Sequence, residues 1–305
     1  MSLEPNIILG KWKVGEKIGR GSFGSVYNVT LKNSSSERLS QYALKLIPLT
    51  LLGKDRMPAV KEEIRFLQAV SNLQSFPKLI DKFSFSGFAA IIVTKEYADL
   101  QFLYSKSGRA FFLKVTIQKL AFKLVQNLRA LHEIGIVHRD IKKNNICIRN
   151  TSADAEVVII DFGLARKFRD TEGNRLPARR DDENRLDKRI YSSINVLETN
   201  ISTEVDDLIQ VCYVLAELRG QFWLIHDHND QRNMQKKLQL KRDPKSFLPG
   251  DDHFLVELFK IVHEQPRFQS PDYDKILETI KNMFPKFIAE RPWEWRERNG
   301  MLTFV

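Results

Sequence analysis

The sequence predicts an α+β fold of two lobes, a small five-stranded β lobe with one main helix followed by a larger, mainly helical lobe. Two patterns predict it. From Lys11 to Val93 the chain runs in short β-rich stretches interrupted once by a helical one, whereas beyond Val115 apolar residues recur at three- and four-residue spacing. Size agrees with this: 305 residues, 43% hydrophobic and 28% charged, can bury the core of one large domain or of two closely packed lobes.

Composition narrows the function classes. No apolar run reaches about 18 residues, the length of a membrane span, and Met1 to Asn6 lacks the basic start and apolar centre of a secretory signal. The expectation is a soluble, cytoplasmic protein, with the nucleus also open to it, acting as a monomer. Cys147 and Cys212 each stand alone among apolar neighbours, which speaks against a disulfide framework or a clustered metal site and predicts two small core residues. A net charge of +10 favours acidic partners. The Lys and Arg residues are spread along the chain without a basic tail, zinc-finger spacing or RNA-recognition signature, so no nucleic-acid partner is expected.

In the first lobe, residues 11–31 alternate around Ile18-Gly19-Arg20-Gly21-Ser22-Phe23-Gly24-Ser25-Val26-Tyr27. Gly19, Gly21 and Gly24 fit G-x-G-x-x-G, a pattern shared with dinucleotide-binding turns. Such a turn opens a helix and has an acidic residue about 20 positions on. Here Val26, Tyr27, Val29 and Leu31 keep a β composition, which predicts a strand, a glycine hairpin and a second strand whose amides close over phosphates. Residues 41–47 read as a strand with Lys45 inside it, a cation that is costly there without an anionic partner. Lys32 to Ser40 read as a polar connection. Residues 55–71 read as a helix with Val60, Ile64, Leu67 and Val70 on one face. Glu63 and Glu62 both stand beside that face; Ala43-Leu44-Lys45 resembles the V-A-I-K strand of protein kinases, and that resemblance implies Glu63 as the favoured partner for Lys45. Runs at 79–85 and 88–93 complete five strands, and Thr94-Lys95-Glu96-Tyr97 reads as a hinge.

In the second lobe, Val115, Ile117, Leu120, Ala121, Leu124, Val125, Leu128 and Leu131 predict a long buried helix stopping at Gly135. It leads into His138-Arg139-Asp140-Ile141-Lys142-Lys143-Asn144-Asn145, and an apolar run follows to Asp161-Phe162-Gly163. Together with the glycine hairpin, Lys45 and Glu63, these motifs stand in the order of the eukaryotic protein kinases, and residues 11–295 resemble that family. The resemblance implies a bilobal protein kinase fold spanning residues 1–305, with an N-lobe of 11–94 and a C-lobe of 98–305.

It also implies ATP and Mg2+ as cofactors and protein substrates as partners. Asp140 matches the catalytic aspartate, Lys142 the phosphate-neutralising lysine of serine/threonine kinases, and Asn145 and Asp161 the metal ligands. Ile18, Gly19, Gly21, Gly24, Val26, Ala43, Lys45 and Glu96 match the ATP-binding positions, with the hinge backbone for adenine. His138 is expected to brace the loop rather than carry protons.

Tyr191-Ser192-Ser193-Ile194-Asn195 and Asp206-Asp207-Leu208 are similar to the Ser-Ile-Asn and Asp-Asp-Leu pair of the casein kinase 1 superfamily. Arg166-Lys167-Phe168, Arg175-x-Pro177 and Pro292-Trp293-Glu294-Trp295 are most similar to its tau-tubulin kinase-like branch. Asp207 then becomes a helix-capping aspartate that holds the catalytic loop from below. Two departures stand out. Asp187-Lys188 replaces a Gly-Thr pair, so Lys188 pairs either with Asp140 or with substrate, and Lys143 replaces a proline on what is expected to be an exposed loop. Residues 166–189 hold nine Lys/Arg against six Asp/Glu. They read either as a solvated loop or as a site where Arg185, Lys188 and Arg189 take acidic or prephosphorylated substrates. The expected function is transfer of the ATP γ-phosphate to Ser/Thr hydroxyls, and the alternative is an ATP-binding pseudokinase acting as a scaffold. Trp293 and Trp295 are expected to anchor the last segment to the large lobe.

Overall fold

The structure is a computed structural model that describes residues 3–21, 24–33, 41–51, 53–108, 111–150, 155–180, 190–221, 230–284, 293, 295–298 and 301–304. It divides into two compact units, Met1–Tyr97 and Ala98–Val305.

The first unit is built on one antiparallel sheet. Its strands are β1 (Ile8–Leu9), β2 (Trp12–Gly21), β3 (Gly24–Leu31) and β4 (Tyr42–Pro48). After the short pair β5 (Thr50–Leu51) and β6 (Lys54–Asp55) come helix α1 (Met57–Ala69) and strands β7 (Leu79–Phe85) and β8 (Phe88–Thr94). The sheet order is β1-β2-β3-β4-β8-β7, so the five long strands gain a two-residue sixth at one edge. Period-two alternation sends Trp12, Val14, Tyr27, Val29, Leu44, Leu46, Ala90 and Ile92 into one core. On β4 the other face carries Ala43, Lys45 and Ile47, and α1 buries Val60, Glu63, Phe66 and Leu67. The glycine stretch is a strand hairpin: β2 and β3 pair as far as Gly21 opposite Gly24, and Gly24 passes so close to β4 that a Cβ there would lie 2.1 Å from the Leu46 carbonyl oxygen.

The second unit opens with β9 (Ala98–Asp99) and α2 (Leu100–Ser107), capped by Asp99, which accepts from the Phe102 N–H at 2.7 Å. Its central helix α3 (Lys114–Glu133) is followed by β10 (Ile136–Val137), β11 (Ile146–Ile148), β12 (Val157–Ile159) and β13 (Arg166–Lys167). Then come α4 (Ile194–Thr199), α5 (Glu204–Leu218), α6 (Asp230–Arg242), α7 (Pro244–Phe247), α8 (Val256–His263), α9 (Tyr273–Lys281) and the hairpin β14 (Trp295–Arg298) and β15 (Met301–Phe304). Every residue of α5 is buried, and α3 and α8 pack against it. Cys147 and Cys212 are buried free thiols. Trp293 donates from its indole to the Ala155 carbonyl at 2.8 Å and, with Trp295, packs on Phe304, which in turn meets Phe112. No helix among the described residues is long and apolar enough to cross a membrane.

Two positions fix how this unit enters its loops. Gly135, just past α3, has φ +77°, and a Cβ there would lie 2.9 Å from the Arg169 Cβ. Gly135→Ala is therefore expected to lower unfolding stability by about 1–3 kcal/mol in urea denaturation. Lys237 on α6 is fully buried and donates to the Ile190 and Ser192 carbonyls at 2.6 and 2.7 Å. Burial pushes its ammonium from the ordinary 10.5 down to about 7. Between those two values the unfolded chain binds the extra proton, so this residue's contribution to stability rises with pH from about 7 toward 10.5. Lys237→Met is expected to lack that slope when denaturation midpoints are measured across the same range.

Candidate active site

The predicted residues of the first unit gather on β2, β3, β4 and α1. Lys45 Nζ meets Glu63 Oε1 at 2.5 Å, and both side chains are largely buried. Glu62 instead faces outward and pairs with Arg65. The reason is rotational: on a helix whose buried stripe runs through Val60, Glu63 and Leu67, a glutamate one residue earlier lies about 100° away. Val26 stands opposite Lys45 across the sheet, and Ala43 lies two residues before it on the same face. Ile18, Gly19, Gly21 and Gly24 follow one another around the hairpin, with Ile18 exposed. In the hinge stretch the Lys95 N–H donates to the Gln41 carbonyl and the Thr94 hydroxyl to the Glu96 carboxylate.

In the second unit, Asp140, Lys142 and Asn145 come together at the turn after β10. Lys142 Nζ and Asn145 Nδ2 each lie 2.9 Å from Asp140 Oδ2. Asn145 Nδ2 also donates to the Asp140 carbonyl at 2.9 Å. His138 is fully buried and packs edge-on to Phe162. Its Nε2 faces the Ile160 carbonyl at 3.1 Å, and its Nδ1 accepts from the Asp140 N–H at 3.3 Å. Burial pushes its pKa down despite the surrounding carboxylates, so it is a neutral ring that bridges the two arms of the loop. Arg139 and Asp161 both hold left-handed backbones, at φ +72° and +69°. Such conformations cost about 1–3 kcal/mol each and need outside support.

At Arg139 that support comes from one stripe of α5. Asp207 accepts the His138 and Arg139 N–H groups, both at 2.7 Å, and meets His132 Nε2 at 2.9 Å. Gln210 accepts the Ile141 N–H at 2.9 Å and donates to the Arg139 carbonyl at 3.4 Å. Glu217 meets Lys143 Nζ at 2.7 Å. Burial alone would push the Asp207 carboxyl up, but the hydrogen bond and charge it meets at His132 and the backbone N–H of His138 bring it below the ordinary range. Asp207 does not cap its helix. Thr203 is the N-cap and Asp206 completes the capping box, which leaves Asp207 for the loop.

A second correction concerns Lys143. It is not on an exposed loop: it is 6% exposed, lies 4.9 Å from the centre of the Tyr104 ring, and is paired with the equally buried Glu217. Gln210 and Glu217 were missed in the sequence although a signal exists. Positions 207, 210 and 217 lie on one stripe of an otherwise apolar helix, and polar residues buried there need partners. Asp187, Arg185, Lys188 and Arg189 lie outside the described residues.

Asp161 and Asn145 offer hard oxygen donors. Because the Asn145 amide nitrogen is committed to Asp140, its Oδ1 is the atom left as a potential ligand. No group of three or more His, Cys, Asp or Glu among the described residues forms a metal cage. Two hard oxygen donors fit Mg2+, which takes one or two protein oxygens and completes its shell with water and phosphate.

The family model described as "Protein kinase domain" matches residues 12–292. The chain is also similar to a Caenorhabditis elegans protein provisionally named a serine/threonine-protein kinase, 26% identical over 303 residues, which span 96% of this chain and 84% of that protein. A second protein of the same organism, provisionally named a casein kinase I, is 24% identical over 301 residues, covering 96% and 85% respectively.

Asp207→Ala strands two buried N–H groups at about 1–3 kcal/mol each. Denaturant titration is expected to show a loss of about 2–6 kcal/mol. Since the folded-state pKa lies below the ordinary 3.8, the stabilisation is present above that pH and is lost as pH falls through the lower value.

Proposed function

The chain belongs to the protein kinase domain family, and on that premise we propose that it is an ATP- and Mg2+-dependent serine/threonine protein kinase of the casein kinase 1 superfamily, closest to its tau-tubulin kinase-like branch. Its two units are the N- and C-lobes of a single catalytic domain. The observation that carries the reading is the grip of Lys142 and Asn145 on one oxygen of Asp140, on a loop whose backbone is held by Asp207 and Gln210. A carboxylate fixed in this way can accept the hydrogen bond of a Ser or Thr hydroxyl and orient its oxygen.

In the reaction, that oxygen forms the new bond to the γ-phosphorus of ATP. The bond to the β,γ-bridging oxygen breaks, ADP leaves, and the hydroxyl proton passes toward Asp140. Lys142 neutralises the moving phosphoryl group, and Lys45, held by Glu63, binds the α and β phosphates. Ile18, Gly19, Gly21, Gly24, Val26, Ala43 and Glu96 surround the nucleotide. Asp161 and Asn145 would hold Mg2+, which would supply positive charge to the phosphates. The superfamily reading draws on the Ser-Ile-Asn and Asp-Asp-Leu motifs, which meet where Ser193 Oγ donates to Asp206 Oδ1 at 2.5 Å. The basic stretch containing Arg185, Lys188 and Arg189 favours acidic or prephosphorylated substrate sites.

The test is label transfer from ATP to casein in the presence of magnesium. Wild type is expected to transfer label, and Asp161→Ala and Lys45→Met to lose at least about a hundredfold in rate. ATP binding by wild type without transfer refutes the enzyme and supports the scaffold. Matched acidic and neutral peptides, compared at two salt concentrations, probe the substrate preference, and equal rates refute it.

A further inference from the structure

We infer that Lys143 is a positioning residue for the protein substrate, acting through Glu217 and Tyr191 to hold residues 190–192 in fixed relation to Asp140. The inference rests on the kinase reading above, and its geometry lies wholly within the second unit. Lys143 belongs to the 3-10 turn Lys143–Asn145, the turn that also carries Asn145. One oxygen of Glu217 meets Lys143 Nζ at 2.7 Å, and the other accepts the Tyr191 hydroxyl. The catalytic turn, α5 and the chain at residue 191 are thus tied by three side chains. Ion pair and phenol are largely withdrawn from water.

A buried ion pair is a poor way to gain stability. Removing each charge from water costs several kcal/mol, and a well-packed apolar pair of similar volume is often as stable or more so. What such a pair supplies is a fixed geometry, because a rotated or displaced partner leaves an uncompensated buried charge. Residues 190–192 are fastened from another side as well. Lys237 takes the Ile190 and Ser192 carbonyls, and Ser193 reaches Asp206 and caps α4. Burial first, then the charge and hydrogen bond of Glu217, push the Tyr191 hydroxyl up, so it remains a donor to Glu217.

Glu217 of α5, itself paired with Lys143, and Lys237 of α6 therefore converge on residues 190–192, and the turn that Lys143 opens carries Asn145, which grips Asp140. A substrate hydroxyl must come within about 2.6–3.2 Å of Asp140 to be oriented. A rigid stretch of chain beside that carboxylate is a rail against which an incoming peptide can be registered. If the rail shifts, fewer peptides dock in register at a given concentration, so KM for the protein substrate rises. None of the side chains of Lys143, Glu217 and Tyr191 is among those assigned to the nucleotide.

The test compares Lys143→Met, Lys143→Arg and Tyr191→Phe in the full chain, with steady-state kinetics on casein and on ATP and hydrogen exchange of the amides of residues 191–193. Tyr191→Phe removes only a hydroxyl and keeps the fold. Lys143→Met and Tyr191→Phe are expected to lower kcat/KM for casein about ten- to hundredfold, mainly through KM. KM for ATP should stay within about twofold and amide exchange should accelerate, and Lys143→Arg should recover most of the loss. Equal losses on casein and ATP, or faster exchange with an unchanged KM for casein, would reduce the bridge to a purely structural role and overturn the inference. If wild type transfers no phosphate, the kinase reading has failed and the substrate role falls with it. Exchange then judges the bridge alone, and unchanged exchange in Lys143→Met removes that too.

Discussion

The buried polar stripe of α5 is the constraint on which the candidate site depends. The helix rises about 1.5 Å per residue. Asp207, Gln210 and Glu217 succeed one another along it, taking the backbone of residues 138 and 139, then that of 139 and 141, then the Lys143 side chain. A loop of six residues is thereby laid along a rigid rod. Without it, a chain that places Arg139 in a left-handed conformation would relax, because nothing in an arginine favours positive φ. A capping box at Thr203 and Asp206 fixes where the rod begins, so the stripe starts at a set height.

The loop adds its own internal brace. His138 is small enough to bury and has two ring nitrogens, which join the Ile160 carbonyl just before Asp161 to the amide of Asp140. Kept neutral by burial, the ring can donate on one side and accept on the other, a division of labour that a charged imidazolium could not perform. The two acidic side chains of the site thus share one rigid spacer although they come from separate stretches of chain.

Much of this was legible in the sequence because it rests on periodicity and order. The long helix after residue 114 announces itself by spacing, and the strands by alternation, since both reflect which face meets the core. The choice between Glu62 and Glu63 was harder, because adjacent residues differ only by a rotation that depends on where the helix is docked. Lys143 was misread for a deeper reason. Its partner lies 74 positions away, and a lysine beside a catalytic motif looks solvated unless the stripe on α5 has been recognised. The edge strand at Ile8 is two residues long, too short to carry any period. The hold of Asp207 on the loop follows from the sequence as expected, whereas the capping role falls to Thr203 and Asp206, a box the sequence spells out as Thr203-x-x-Asp206.

The aromatic cluster at the end of the chain sets an order on the molecule's making. Phe304 stacks with Trp293 and Trp295 and meets Phe112, the residue that introduces the central helix of the second unit. During synthesis, which proceeds at about 5–20 residues per second, the first 97 residues have all their sheet partners long before that cluster exists. Until then the ring of Phe112 lacks one of its packing partners, and the nascent helical unit exposes apolar surface for the time needed to translate nearly two hundred further residues.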